Sequence, residues 1–287
     1  MHKKTRLLKE KLRALKTTKE KIKVLKNSFK NEECYILTAG PSINEIEVEY
    51  LRNKLKDKLV ISVKQTYNLI PELVDFHIIN TDNYQVYSFS DNDPIKMKVS
   101  LINNSQKTPY YREDMSLFVD ITKTIAREHS LAGMMDFNKH LLDETDLRPW
   151  GPGIMYELGI YLPVLLGCTK VYILGWDLGS KKTDNIKRYY EKRGFFKKTE
   201  NYFKNHHLHF YNKYFLRIYN HCNNLLFFFV KNIVLNKPIV TKNEAIFIQK
   251  STFAMYEWLL SKKVELFVVS STSMLDGRIP RKRIEDI

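Results

Sequence analysis

Cysteine is scarce in this chain, with only Cys34, Cys168 and Cys222 among 287 residues. Without a C-x-x-C pair, that number and spacing exclude a disulfide framework and give no zinc or redox motif, and a reducing cytoplasm is the expected compartment. Glycine and proline are sparse too, at 10 and 9 residues, with no fixed-period repeat and no Gly/Ser- or Pro-rich linker. Tandem arrays and obvious hinges are thereby excluded, and one main domain with appendages is expected. No apolar run approaches the roughly 20 residues that span a bilayer, and the basic N-terminus never reaches a signal-peptide apolar core. Acidic residues are outnumbered, 32 Asp and Glu against 47 Lys and Arg, giving a formal charge of +15 and a pI near 9.5.

That excess favours acidic partners such as phosphates or anionic lipid. It is unevenly placed, because residues 1–30 hold twelve Lys and Arg against Glu10 and Glu20. The remaining body is only mildly basic, so no nucleic-acid partner is expected. A hydrophobic content of 44% suits a packed globular core. From Thr5 to Leu25 the sequence lacks Gly and Pro and spaces Leu7, Leu8, Leu12, Leu15, Ile22 and Leu25 in loosely helical fashion. A basic amphipathic helix over this stretch is expected, with two roles open: lying on an anionic membrane surface, or packing as a terminal helix.

After Asn31 the pattern changes to short apolar runs separated by helix-length stretches. Cys34–Leu37, Leu59–Val63 and Phe76–Ile79 read as buried strands, and Met97–Ile102 as a further one. Asn44–Glu47 opens a helix, Gly133–Leu142 is a second, and Ile154–Leu166 is a strongly apolar third, opened by Gly151-Pro152-Gly153 and closed by Gly167. Lys170–Leu174 is a buried strand, Asn243–Ser261 a helix, and Val264–Val269 a final strand before a basic tail at Arg278–Arg283. The alternation predicts an α/β, Rossmann-like fold with a mostly parallel sheet flanked by helices. Residues 1–30 form the basic N-terminal helix and 31–287 a single domain, with a small helical and aromatic lid at about 181–240. Leu225–Val230, inside that lid, suits a strand or a packed helix.

Four segments carry candidate chemistry. Thr38-Ala39-Gly40-Pro41-Ser42 follows the first strand, at the carboxyl end where ligands of open α/β sheets sit. It is neither G-x-G-x-x-G nor a P-loop, yet the N–H of Gly40 is expected to approach a phosphate. Arg148-Pro-Trp-Gly151-Pro152-Gly153 offers further amide donors and a guanidinium suited to phosphate. Gly175-Trp176-Asp177 sets a carboxylate directly after a buried strand, able to accept from a sugar or to position a base. His206-His207-Leu-His209 lacks partners at metal-ligand spacing and better suits a general base. Lys64-Gln65, Asn80, Asp82 and Asn83 lie just past the second and third strands, whereas Asp91-Asn-Asp93 reads as a solvated loop.

In this order the segments resemble the small bacterial sialyltransferases that use CMP-activated sialic acid, and the related flagellin-glycosylating and pterin-diphosphokinase-like proteins that share the first turn. The likeness runs from Cys34 to about Pro280, through Thr38–Ser42, Lys64-Gln65, Asn80, Gly151–Gly153, Gly175–Asp177 and Ser270–Ser273. It implies a CMP site formed by Gly40, Pro41, Ser42, Gln65, Asn80, Gly151 and Gly153, with Ser271 and Ser273 on the donor side. It also implies metal-independent, inverting transfer with a His base, for which His207 comes first, with His206 and His209 close behind; Asp177 and Arg148 complete the catalytic set. The chain departs from the family at Thr38-Ala39, where Gly-Asn is usual, and at Gly151-Pro152, where the family has Ser or Thr. The Ala39 version is closer to the flagellin-modifying and diphosphokinase-like relatives, so the donor sugar is expected to be a sialic acid-like nonulosonic acid or a deoxyoctulosonic acid.

The expected function is therefore transfer of that sugar from a CMP-linked donor to a cell-surface glycan or glycolipid, without cofactor or metal. Such a role in lipopolysaccharide or capsule synthesis suits a cytoplasmic enzyme held peripherally at the inner membrane face by residues 1–30; self-association stays open. The rival is a Mg²⁺-dependent diphosphokinase acting on a pterin-like alcohol with ATP, for which Asp82, Asp91 and Asp93 would matter.

Overall fold

The computed structural model describes residues 1–80, 93–99, 118–121, 123–124, 136–142, 147–148, 155–177, 241–270, 273 and 275–287. Strands β1 (Glu33–Leu37), β2 (Leu59–Val63), β3 (Phe76–Asn80), β4 (Ile95–Val99), β5 (Phe118–Ile121), β8 (Lys170–Leu174) and β9 (Glu265–Val269) form one seven-stranded sheet in the order β5-β4-β3-β2-β1-β8-β9. Every neighbouring pair is parallel. The two-residue strands β6 (Lys123–Thr124) and β7 (Leu147–Arg148) pair separately. The expected Rossmann-like α/β class is what the chain adopts.

Near-continuous apolar strands make this arrangement possible, since a parallel sheet is covered on both faces. Alternation along each strand divides the core in two. Cys34, Ile36, Ile61, Phe76, Ile78, Ile173 and Val268 belong to one cluster, and Tyr35, Leu37, Val60, Ile79, Tyr172, Leu174 and Val269 to the other. On the second face Tyr172 stacks between Tyr35 and Phe267, at centroid separations of 4.9 and 5.2 Å.

The basic N-terminal segment forms two helices rather than one, α1 (Lys3–Arg13) and α2 (Thr18–Leu25). The break has a local cause. The Thr17 hydroxyl accepts from the Glu20 N–H at 3.2 Å while the Glu20 carboxylate accepts from the Thr17 N–H at 3.0 Å, a capping box that starts a new helix. The apolar side of the pair, Leu8, Leu12, Ile22 and Leu25, joins the first core cluster together with Phe29. Buried Asp75 holds the beginning of α1, accepting from the His2 N–H at 2.6 Å, the Thr5 hydroxyl at 2.7 Å and the Val60 N–H at 2.9 Å.

Other boundaries shift for equally local reasons. Asn44–Glu47 does not begin an α-helix: Pro41–Glu45 is a 3₁₀ turn, and α3 follows at Val48–Lys54. Ile154–Leu166 is not one helix but a π turn, Met155–Gly159, followed by α4 (Tyr161–Leu166). Pro163 has no N–H to donate to the preceding turn, so it sits in the first turn of a helix that starts afresh, where no acceptor is needed. Gly133–Leu142 yields only a 3₁₀ turn at Phe137–His140 among its described residues. The long helix α5 spans Thr241–Ser261. Residues Met1–Tyr190 and Glu244–Ile287 make one compact unit, and Glu191–Asn243 a second. No helix among the described residues is long and apolar enough to cross a membrane.

Candidate functional site

The chain begins its sheet in the middle, builds outward from β1 to β5, then returns to the other side of β1 with β8 and β9. The strand order therefore reverses between β1 and β8, and the crevice beyond the carboxyl ends at such a reversal is where open α/β sheets take ligands. Two candidate segments leave the sheet there, Thr38–Ser42 from β1 and Gly175–Asp177 from β8.

These segments lock together. The Thr38 N–H and hydroxyl both donate to the Leu174 carbonyl at 2.9 Å, and the Gly40 N–H donates to the Gly175 carbonyl at 2.7 Å. Asp177, buried, accepts from the Ser42 N–H at 2.6 Å and the Ser42 hydroxyl at 2.7 Å, and from the Ser270 hydroxyl at the end of β9. A Cβ on Gly40 would collide with the Gly175 carbonyl and the Asp177 carboxylate. Gly175 has φ of +76°, and a Cβ there would strike the Thr38 carbonyl. Both glycines are thus demanded by the contact between the two turns.

This geometry corrects one expectation. The Gly40 amide, assigned above to a phosphate, is engaged on Gly175, and the Ser42 amide and hydroxyl are engaged on Asp177. Neither amide is therefore free to donate to an anion in this arrangement. Asp177 in turn holds three in-chain donors, so its direct structural effect is to clasp the Ser42 turn to the ends of β8 and β9. A carboxylate offers about four acceptor positions, which leaves it room for one more donor.

Beside β1, the end of β2 is held as firmly. Thr66, fully buried, donates its hydroxyl to the Leu37 carbonyl at 2.8 Å and accepts from the Val63 N–H at 3.1 Å, stapling the exits of β1 and β2. Lys64 adopts φ of +55°, and its carbonyl accepts the Nε2–H of buried His77 at 2.9 Å. The His77 ring stacks on Tyr67 at 4.7 Å. Burial, reinforced by the nearby Lys96 ammonium and opposed by the bond to Lys64, pushes the His77 pKa down to about 3. The imidazole is therefore neutral, with its proton on the nitrogen that faces Lys64.

Of the residues singled out in the sequence, Gly40, Pro41, Ser42, Asp177 and Ser273 gather at or beside the β1/β8 exits. Ser273 donates its hydroxyl to the Trp176 carbonyl at 2.6 Å. Gln65 is half-buried in the turn after β2, and Asn80 ends β3. Arg148 belongs to the small second sheet. Gly151, Gly153, His206, His207, His209, Ser271, Asp82, Asn83 and Asp91 lie outside the described residues. Asp93 departs from the solvated loop expected for it: it precedes β4, at the opposite edge of the sheet, where it pairs with buried Lys96 at 3.1 Å. Ser270, Thr66 and His77 were missed as site-shaping residues. Ser270 stood in a quoted motif, directly after an apolar strand; a Thr three residues past Val63 and a His inside β3 carry no comparable signal. Among the described residues no group of three His, Cys, Asp or Glu is arranged to hold a metal ion.

No family model matches this sequence, and no curated protein does. Among solved structures it is similar to the MAf glycosyltransferase from Magnetospirillum magneticum AMB-1, at 16% identity and a TM-score of 0.33, over 54% of this chain and 24% of that one. The chain thus matches about a quarter of that protein's length.

Proposed function

We propose that this chain is a glycosyltransferase that takes a sialic acid-like nonulosonic acid, or a deoxyoctulosonic acid, from a CMP-activated donor and passes it to a cell-surface glycan or glycolipid. The support is positional. Thr38–Ser42, Lys64-Gln65, Asn80, Gly175–Asp177 and Ser270 leave the carboxyl ends of β1, β2, β3, β8 and β9, five adjacent strands around the point where strand order reverses. These are the segments whose order resembles the CMP-sialic acid-dependent enzymes.

In this reading the nucleotide lies across the β1 and β2 exits near Gly40, Ser42, Gln65 and Asn80. Gly151, Gly153 and Ser271 belong to the donor side, Arg148 offsets charge on the departing CMP, and His207 or His209 takes the proton of the acceptor hydroxyl. Asp177 acts through Ser42 and Ser270 by fixing the turn against which the donor rests. A nucleoside monophosphate is a leaving group that needs no metal ion.

Thermal stabilisation by nucleotides is the direct test, because a ligand of the folded state raises stability by mass action, about 2.7 kcal/mol at a hundred times Kd. CMP or CDP is expected to raise the melting temperature equally with and without Mg²⁺, while UDP and GDP leave it in place. A shift seen only with ATP and Mg²⁺ overturns the proposal in favour of diphosphoryl transfer.

A further inference from the structure

Among the described residues, five other than glycine have positive φ: Asn27, Asn31, Asp57, Lys64 and Lys263. Asn and Asp tolerate this conformation through their short polar side chains, and Lys263 follows the end of α5, where a left-handed residue is an ordinary way to close a helix. Lys64 has neither excuse. It directly follows β2, a central strand, and a long side chain in this region costs on the order of 1 kcal/mol.

The conformation is over-determined by its surroundings. His77 fixes the Lys64 carbonyl, Thr66 staples the same turn to Val63 and Leu37, and Tyr67 packs on the His77 ring. Strain held this firmly gathers at functional sites. The register that sets Leu37 beside Ser62 brings Lys64 level with the start of the Thr38–Ser42 turn. Within the first turn after β1, β2, β8 and β9, Lys64 is the only Lys or Arg among the described residues. It is half-buried, and no carboxylate among the described residues pairs with its ammonium. A phosphate at this edge, finding the Gly40 and Ser42 amides already engaged, needs such a cation.

We infer that Lys64 is the cation that binds the phosphate of the nucleotide donor, presented at the sheet's carboxyl edge by a left-handed backbone that His77 and Thr66 hold in place. The inference rests on the nucleotide-sugar reading given above and adds to it a binding residue. Gln65, its neighbour in the same turn, is then left to face the sugar or the base.

Lys64→Gly and Lys64→Gln separate the charge from the backbone. Glycine relieves the left-handed strain, so Lys64→Gly is expected to melt no lower than the wild type, whereas Lys64→Gln keeps the strain and loses only the charge. Isothermal titration of the full chain with CMP and with cytidine is the readout. Loss of one charge-assisted contact predicts a roughly ten- to hundredfold weaker CMP affinity in both variants, with cytidine affinity unchanged, and recovery of most of the loss in Lys64→Arg. Folded variants that bind CMP as the wild type does overturn the Lys64 assignment and leave the nucleotide reading standing. A wild type that binds none of CMP, CDP, UDP or GDP overturns both. Equal weakening towards CMP and cytidine assigns Lys64 a role in turn structure alone and also overturns the inference.

Discussion

Burial keeps the His77 imidazole neutral while its Nε2–H supports the Lys64 carbonyl, and this has a consequence for acid stability. In the unfolded chain the ring titrates at its ordinary value near 6.5, whereas in the fold it resists protonation until about 3. The folded pKa is depressed, so between these values the unfolded state binds the additional proton. The contribution is present in full above 6.5 and is lost as pH falls towards 3, at up to about 1.4 kcal/mol per pH unit. Urea denaturation of wild type and His77→Gln at pH 7, 5 and 4 is expected to show a steeper acid loss for the wild type. Carboxylate titrations common to both proteins cancel in the difference. Parallel pH dependences would mean that the His77 site is open to protons.

At the scale of elements, α1 and α2 are part of the core rather than a detachable tail. Leu12 and Leu25 are fully buried, and Asp75 ties the start of α1 to the loop before β3. Leu12→Ala is expected to lower stability by about 2–5 kcal/mol. A chain beginning at residue 31 is expected to lose cooperative unfolding altogether, as circular dichroism melts would report. Wild-type-like melting of either would return these helices to the surface. Removing residues 1–30 therefore cannot serve as a neutral way to separate membrane or anion binding from catalysis; exchanging the charges alone does so.

The same elements show what could be read from sequence. Strands Cys34–Leu37, Leu59–Val63, Phe76–Ile79, Lys170–Leu174 and Val264–Val269 announced themselves because a doubly covered parallel strand is apolar at most of its positions, and the structure differs from them by one residue at most. The helix starts were harder. The Thr17–Glu20 capping box and the restart at Pro163 are short signals inside stretches whose apolar spacing runs on through them. The turns after β1 and β8 were legible as exits from the carboxyl edge of the sheet through their glycines. Their mutual hydrogen bonding was not, because it joins residues about 135 positions apart, and neither turn alone tells that its amides are engaged.

For the whole molecule the question is where the excess charge goes. With the apolar side of α1 and α2 turned inward, the exposed side carries Lys3, Lys4, Arg6, Lys11, Arg13, Lys19 and Lys23, with Leu7 as the large apolar residue left outside. Any seat on a membrane is then electrostatic, without insertion, at about 1 kcal/mol per basic residue near an anionic surface. Sedimentation with phosphatidylglycerol vesicles is expected at low ionic strength and lost on adding salt, since the screening length falls to roughly 3 Å at 1 M. Replacing Lys3, Lys11, Lys19 and Lys23 by Gln is expected to abolish it without lowering the melting temperature. Binding that survives high salt, or none at low salt, would sink this reading.

The reversal of strand order between β1 and β8 also sets a timetable for synthesis. Thr38 finds its partner Leu174 only after 136 further residues have been made, which at typical translation speeds takes on the order of ten seconds. Throughout that interval β1 can pair with β2 on one side while its other edge stays bare, an open invitation to a neighbouring nascent chain. An interior strand of the finished sheet is thus an edge strand on the ribosome, and the turns after β1 and β8 clasp each other only when the second half of the protein has arrived.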